Sequence, residues 1–140
     1  MLRDVIGAIV GVAVAVLTVM LFEWISHTIF PVPAGLEVNN TAAMSEYIST
    51  VPIAAMLLVV AGYIVATFDG TFIAAWIGNA KPFIFALVVG VLMLVATVST
   101  LIMIPHPIWF NIASVVGIIV AAWMATIAVP ATMKNKRDAP

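Results

Sequence analysis

Residues 5–21 read VIGAIVGVAVAVLTVML. Thr18 is the single polar side chain in this run, and the apolar pattern continues through Trp24 and Ile25 to Phe30. A bilayer core about 30 Å thick is crossed by about 20 apolar residues of α-helix. The segment therefore predicts a transmembrane helix over 4–30. Its apolar run is longer than the roughly 7–15 residues of a signal-peptide core, and no small-x-small cleavage site follows closely, so it reads as a retained helix. Outward from it the same signal recurs three times, predicting spans over 51–77, 83–104 and 108–129. The second is longer than one straight crossing requires, so it must tilt, extend into the interface, or break near Asp69-Gly70.

Composition agrees. The 140 residues are 65% hydrophobic and 8% charged, against about 45–50% and about 25% in soluble domains. A soluble chain of this size leaves too much surface in water to hide so many apolar side chains. A soluble globular domain, a disordered chain and a disulfide scaffold are excluded. The absence of cysteine removes thiol catalysis, Cys-ligated zinc and iron–sulfur chemistry. With five Lys and Arg and a net charge of −1 there is no basic patch, so a nucleic-acid partner is not expected. The expected fold is all-α: one integral membrane domain, 1–140, forming a four-helix bundle with antiparallel neighbours.

Orientation follows from the distribution of basic residues. Arg3 precedes the first span, Lys81 lies between the second and third, and Lys134, Lys136 and Arg137 follow the fourth. The 31–50 loop and the Pro105-His106-Pro107 link carry neither Lys nor Arg. All five cations fall on one side if both termini are cytoplasmic, as an even number of spans requires. This predicts a bacterial inner-membrane protein, N-in and C-in.

The outer loop 31–50 opens with Pro31-Val32-Pro33-Ala34-Gly35, which is turn chemistry. Asn40 or Thr41 can cap a short helix over 41–50, and Pro52 suits the start of the second span. Asn39-Asn40-Thr41 matches a glycosylation sequon, a pattern that matters only in a eukaryotic secretory setting. The short Pro105-His106-Pro107 link makes spans three and four an antiparallel pair. The basic segment 130–140 reads as a short mobile cytoplasmic tail able to sit on anionic headgroups.

Membrane helices associate where small residues let backbones approach. Span two carries Gly62, Ala66, Gly70, Ala74 and Gly78 at four-residue steps; span four carries Ala113, Gly117, Ala121 and Ala125. Span one has Gly7, Gly11 and Ala15, and span three has Ala86 and Gly90. These are expected to be helix-packing faces, or else the interface of a homo-oligomer.

Charge inside a membrane is costly, so it usually faces protein and has a use. Glu23 and His27 are four apart and share a helix face. With His106 on the outer link, all three are expected on the outer side at similar depth. Three readings are open: Glu23 hydrogen-bonds His27 while His106 caps a turn; the three hold zinc or another divalent metal; or Glu23 serves a proton or cation relay. A haem between the two histidines is disfavoured, because both lie at one interface. Glu23 lies about 160° from Gly7 at 100° per residue, so span one must touch two neighbours or Glu23 must reach the interface. Asp69 falls on the small-residue side of span two near its cytoplasmic end. There it is expected to pair with Lys81 or Arg3, or to act as an intramembrane acid. Thr97, Ser99 and Thr100 are candidate polar lining, although hydroxyls in lipid usually bond their own helix. Trp24, Trp76 and Trp109 suit an aromatic belt, whereas Trp123 is deeper and expected to pack.

Glu23-x₃-His27, Phe30-Pro31-x-Pro33-x-Gly35, Gly62-Tyr63 and His106-Pro107-x-Trp109-Phe110 together resemble a family of small uncharacterised bacterial four-helix inner-membrane proteins. The resemblance covers nearly the whole chain and implies location and architecture, without a catalytic residue. Small multidrug transporters also have four spans and a Glu in the first, but here Glu23 sits near the end of its span. The expected function is association, as an accessory or stabilising subunit with other membrane subunits or with itself. The rival is a small ion- or metal-linked transporter or binding protein using Glu23, His27 and His106. No Ser-His or paired-Asp motif supports an intramembrane enzyme.

Overall fold

A computed structural model describes residues 1–37, 39–78 and 81–137, with 130–137 as backbone only. It contains α1 (Leu2–Ile29), α2 (Thr41–Thr50), α3 (Ile53–Ile77), α4 (Pro82–Met103) and α5 (Ile108–Arg137). Four of these, α1, α3, α4 and α5, are long and apolar enough to cross a membrane. The protein is an all-α, multi-pass helical bundle, as its sequence predicts.

The ends of the elements follow local chemistry. Gly35 takes φ +84° in the turn after the Pro31-x-Pro33 segment, a conformation that glycine adopts at no steric cost. Asn40 caps α2, its side-chain oxygen accepting from the Ala42 and Ala43 amides at 3.1 and 3.2 Å. Pro52 immediately precedes α3, and Pro82 opens α4, where a missing N–H is harmless. α3 runs unbroken through Asp69-Gly70, so its excess length is taken up by tilt or extension rather than a kink. α5 continues past Pro130 to Arg137, where the sequence predicts a span ending at 129 and a tail. A proline removes one helix hydrogen bond and crowds the preceding turn, but membrane helices absorb such a break by local adjustment. The side chains of Lys134, Lys136 and Arg137, and all of 138–140, lie outside the described residues.

α3 is the hub. It packs most extensively on α1, then on α5 and α4; α4 packs on α5, and α1 barely touches α4. In the most apolar stretch of each helix, 44% of α3 is buried but only 17% of α1. The α1–α3 seam is built from backbone. A Cβ placed on Gly7 would lie 2.6 Å from the Ala74 carbonyl oxygen, and one on Gly70 would lie 2.7 Å from that of Gly11. Phe22 covers Gly62 further along. All five small residues of the α3 ridge are buried. On α5, Ala121 and Ala125 are buried, while Ala113 and Gly117 are half-buried, with Gly117 against Ile64.

The stripe of α1 facing α3 passes from Gly7 through Ala15 and Phe22 to Ser26 and so winds around the helix. At the level of Glu23 it has rotated by roughly 100° at 100° per residue. Glu23 therefore stands on the flank of the seam, turned toward α4. Span one does touch two neighbours, one tightly and one loosely. Trp123 does not pack as expected; it is 62% exposed, on the part of α5 that faces away from α3.

Candidate functional site

The loose α1–α4 contact leaves a cavity of about 230 Å³ at the end of the bundle that carries α2, which contributes to its wall. Glu23, His27 and Phe30 come from α1 and its exit, Tyr47 and Ile48 from α2, Met56 and Tyr63 from α3, Thr100 from α4, and His106 and Phe110 from the link and α5. The three residues singled out in the sequence as an outer-side cluster thus share one cavity. They do so because the antiparallel α4–α5 hairpin returns its link to the level at which α1 ends.

Their local chemistry is specific. His106 Nδ1 lies 2.8 Å from the Ile104 carbonyl oxygen. A carbonyl only accepts, so Nδ1 carries the hydrogen, and Nε2 of the neutral ring is the acceptor. Burial pushes the His106 imidazole below its ordinary range, and the bond to Ile104 opposes this only in part. His106 is therefore neutral near pH 7. Its ring stacks on Phe110 with centroids 4.5 Å apart and an 11° interplanar angle, and Phe110 meets Trp109 edge-on. His106 closes a turn, as one of the sequence readings has it. The Glu23–His27 hydrogen bond of that same reading is not present; both side chains are exposed at the cavity wall. Among the described residues no three His, Asp or Glu side chains gather closely enough to hold a metal ion.

A second hollow, of about 170 Å³, continues from the first into the cleft between α1 and α4. Glu23, Tyr63 and Thr100 line both. Beyond them the cleft is apolar, walled by Val16, Val19, Met20, Met93 and Ala96, with Thr97 among them. Thr100 donates to the Ala96 carbonyl at 3.1 Å, and Ser99 to that of Val95 at 2.7 Å, so these hydroxyls serve their own helix. Thr97 and Thr100 line the cleft, whereas Ser99 is exposed and lines neither hollow.

Asp69 is elsewhere. Thr18 Oγ1 donates to its Oδ2 at 2.7 Å across the α1–α3 seam, and Oδ1 is buried without a partner. Its partner is this hydroxyl rather than Lys81 or Arg3. The carboxylate lies eight residues inside the end of α3, about 12 Å at 1.5 Å per residue, beyond easy reach of cations at the helix ends. It lines neither hollow.

Tyr47 has no role in the sequence reading, and Tyr63 and Phe110 enter it only within motifs of the resemblance, not as site residues. A usable signal exists in the composition. The chain has two tyrosines and two histidines, and all four line this one cavity. No family model, curated protein or solved structure matches the chain.

Proposed function

We propose that this is a small membrane-embedded binding protein that takes up a small charged solute at the end of the bundle carrying α2, on the outer side of a bacterial inner membrane with both termini cytoplasmic. One observation carries the reading: every histidine and tyrosine in the chain, together with Glu23, converges on a single cavity from three helices and a link. Scarce polar side chains in a sequence this apolar are expensive to place in a membrane, and their convergence is what a binding site requires. The expectation of association drew on the abundance of small-residue faces. The α3 ridge is now buried, chiefly against α1, so those faces serve the chain's own packing. Binding, rather than passage across the bilayer, fits the separation of Asp69 from both hollows.

The absence of native cysteine makes the test direct. Tyr63→Cys is expected to react with a membrane-impermeant thiol reagent added outside spheroplasts, while Val89→Cys, in the dry core, stays unlabelled. Failure of Tyr63→Cys to react from outside, with the protein folded, would refute a water-open outer site.

A second reading, an accessory role beside other membrane subunits or a second copy, draws on the apolar groove between α4 and α5 at Gly90 and Ala122, next to exposed Trp123. Native-membrane pull-down is its test: a stoichiometric partner lost on Trp123→Ala would support it, and recovery of this chain alone as a monomer would refute it.

A further inference from the structure

Resting on the binding reading above, we propose that the cavity binds an alkylammonium, the cation held beside Glu23 and the aromatic walls, with its hydrocarbon chain lying along the α1–α4 cleft. Three features of the lining select this class. The first is sign. Among the described residues, Glu23 is the one carboxylate on the wall, and no Lys or Arg lines it. An anionic ligand would find no permanent countercharge, whereas a monovalent cation would find one. The second is the large share of the wall that rings provide. Phe30, Tyr47, Tyr63, Phe110 and the His106 imidazole supply aromatic surface. A small hydrated metal ion needs several oxygen or nitrogen ligands in close array, and no such array exists among the described residues. A substituted ammonium needs no directional ligands, loses little hydration, and is attracted to aromatic faces within about 6 Å of the ring centre.

The third feature is shape. Glu23 and Tyr63 stand where the polar cavity passes into the apolar cleft. A molecule with its charge at that junction would place an attached alkyl chain against Val16, Val19, Met20 and Met93, in space that α1 leaves open by failing to pack on α4. An amphiphile can reach this site from the bilayer as readily as from water. The same ammonium chemistry could come from a lipid headgroup or from a free amine.

The test uses the full chain in nanodiscs of phosphatidylglycerol, which carries no ammonium. Binding of tetramethylammonium and hexyltrimethylammonium is measured by equilibrium dialysis, with choline set against its uncharged carbon isostere, 3,3-dimethylbutan-1-ol. Choline is expected to bind and the neutral isostere not. Glu23→Gln should weaken the cations by on the order of tenfold or more, the scale of a countercharge lost near a protein surface. Ala96→Phe, which plugs the cleft from an exposed position on α4, should abolish the advantage of hexyl over methyl, read as the ratio of the two affinities in the same protein. Nanodiscs of phosphatidylcholine or phosphatidylethanolamine decide the source: competition assigns a lipid headgroup, and its absence assigns a free amine. Equal binding of the neutral isostere, or cation binding indifferent to Glu23→Gln in a folded protein, would overturn the proposal. If Tyr63→Cys is labelled from outside but zinc or an anion binds in place of ammonium, this inference fails and the binding reading stands. If Tyr63→Cys is not labelled, both fail.

Discussion

Gly11→Ala adds one methyl group at the point where α1 meets α3 most closely. The new Cβ would lie 2.5 Å from the Ala74 Cβ and would press into the Gly70 carbonyl oxygen. Neither obstacle can rotate aside: one is backbone, and the other is a methyl fixed to a fully buried residue. Relief requires the two helices to separate along the seam. Overpacking of this kind costs about 1–3 kcal/mol, which is a factor of roughly 5 to 150 in the folded population. The loss is not recovered elsewhere, because lipid offers no hydrophobic drive to push α1 back and membrane helices are held by close packing. Gly90→Ala is the matched control. Its Cβ would meet a single neighbour, the Ala122 methyl at 3.2 Å, and a shift of a few tenths of an ångström accommodates it, so the cost should stay below about 1 kcal/mol. Reversible unfolding in mixed SDS micelles, followed by far-UV circular dichroism, measures both. The reasoning fails if Gly11→Ala is no more destabilising than Gly90→Ala, since the seam would then not be set by backbone contact.

Three further outcomes follow from named contacts. Thr18→Val should cost about 1–3 kcal/mol by leaving Asp69 buried without its donor, yet close to nothing once Asp69→Val is present; additive single and double variants in the same unfolding assay would dissolve the Thr18–Asp69 pair as an energetic unit. For His106 the native imidazole is held below its unfolded value near 6.5, so the folded state takes up its proton less readily than the unfolded state. Stability from this source is complete above about pH 6.5 and declines as pH falls through the native value. Unfolding midpoints between pH 7.5 and 5 should fall for the wild type and fall less for His106→Leu, with Glu23, His27, Tyr47 and Tyr63 as the other titratable groups on the same wall; equal slopes would discount burial as the cause. Asn40→Ala removes both acceptor bonds at the start of α2 and should cost about 1 kcal/mol, seen as faster amide exchange at Ala42 and Ala43 while α3 is unaffected.

Hydropathy placed α1, α3 and α4 and the start of α5 within a few residues, though not the continuation of α5 past Pro130, because in lipid a backbone must satisfy itself and only a long apolar helix does so. The small-residue ridge of α3 was equally readable, since a four-residue step keeps neighbours on one slowly winding face. Winding is also where wheel arithmetic stopped. Counting 160° from Gly7 set Glu23 on a different face, but the stripe that meets α3 rotates along α1 and brings that face to the flank of the seam. The cluster of Glu23, His27 and His106 followed from topology, since α1 must end where the α4–α5 link begins. The aromatic half of the wall did not follow. Tyr47 reaches the cavity from α2, a ten-residue helix, and where so short a helix settles on the bundle is not written in a hydropathy pattern. Trp123 misled for a related reason: depth in a span does not say which way a side chain faces, and this one stands exposed at the rim of the groove between α4 and α5.

The seam and the cavity are completed at different moments of synthesis. A chain made from its amino end first can bring α1 and α3 together while the ribosome is still translating α4, because nothing in that glycine contact awaits a later segment. The wall that holds His106 and Phe110 exists only once the last hairpin has entered the membrane. A nascent protein is thus an anchored pair long before it is a vessel, and a chain that stops short of Phe110 leaves the vessel open.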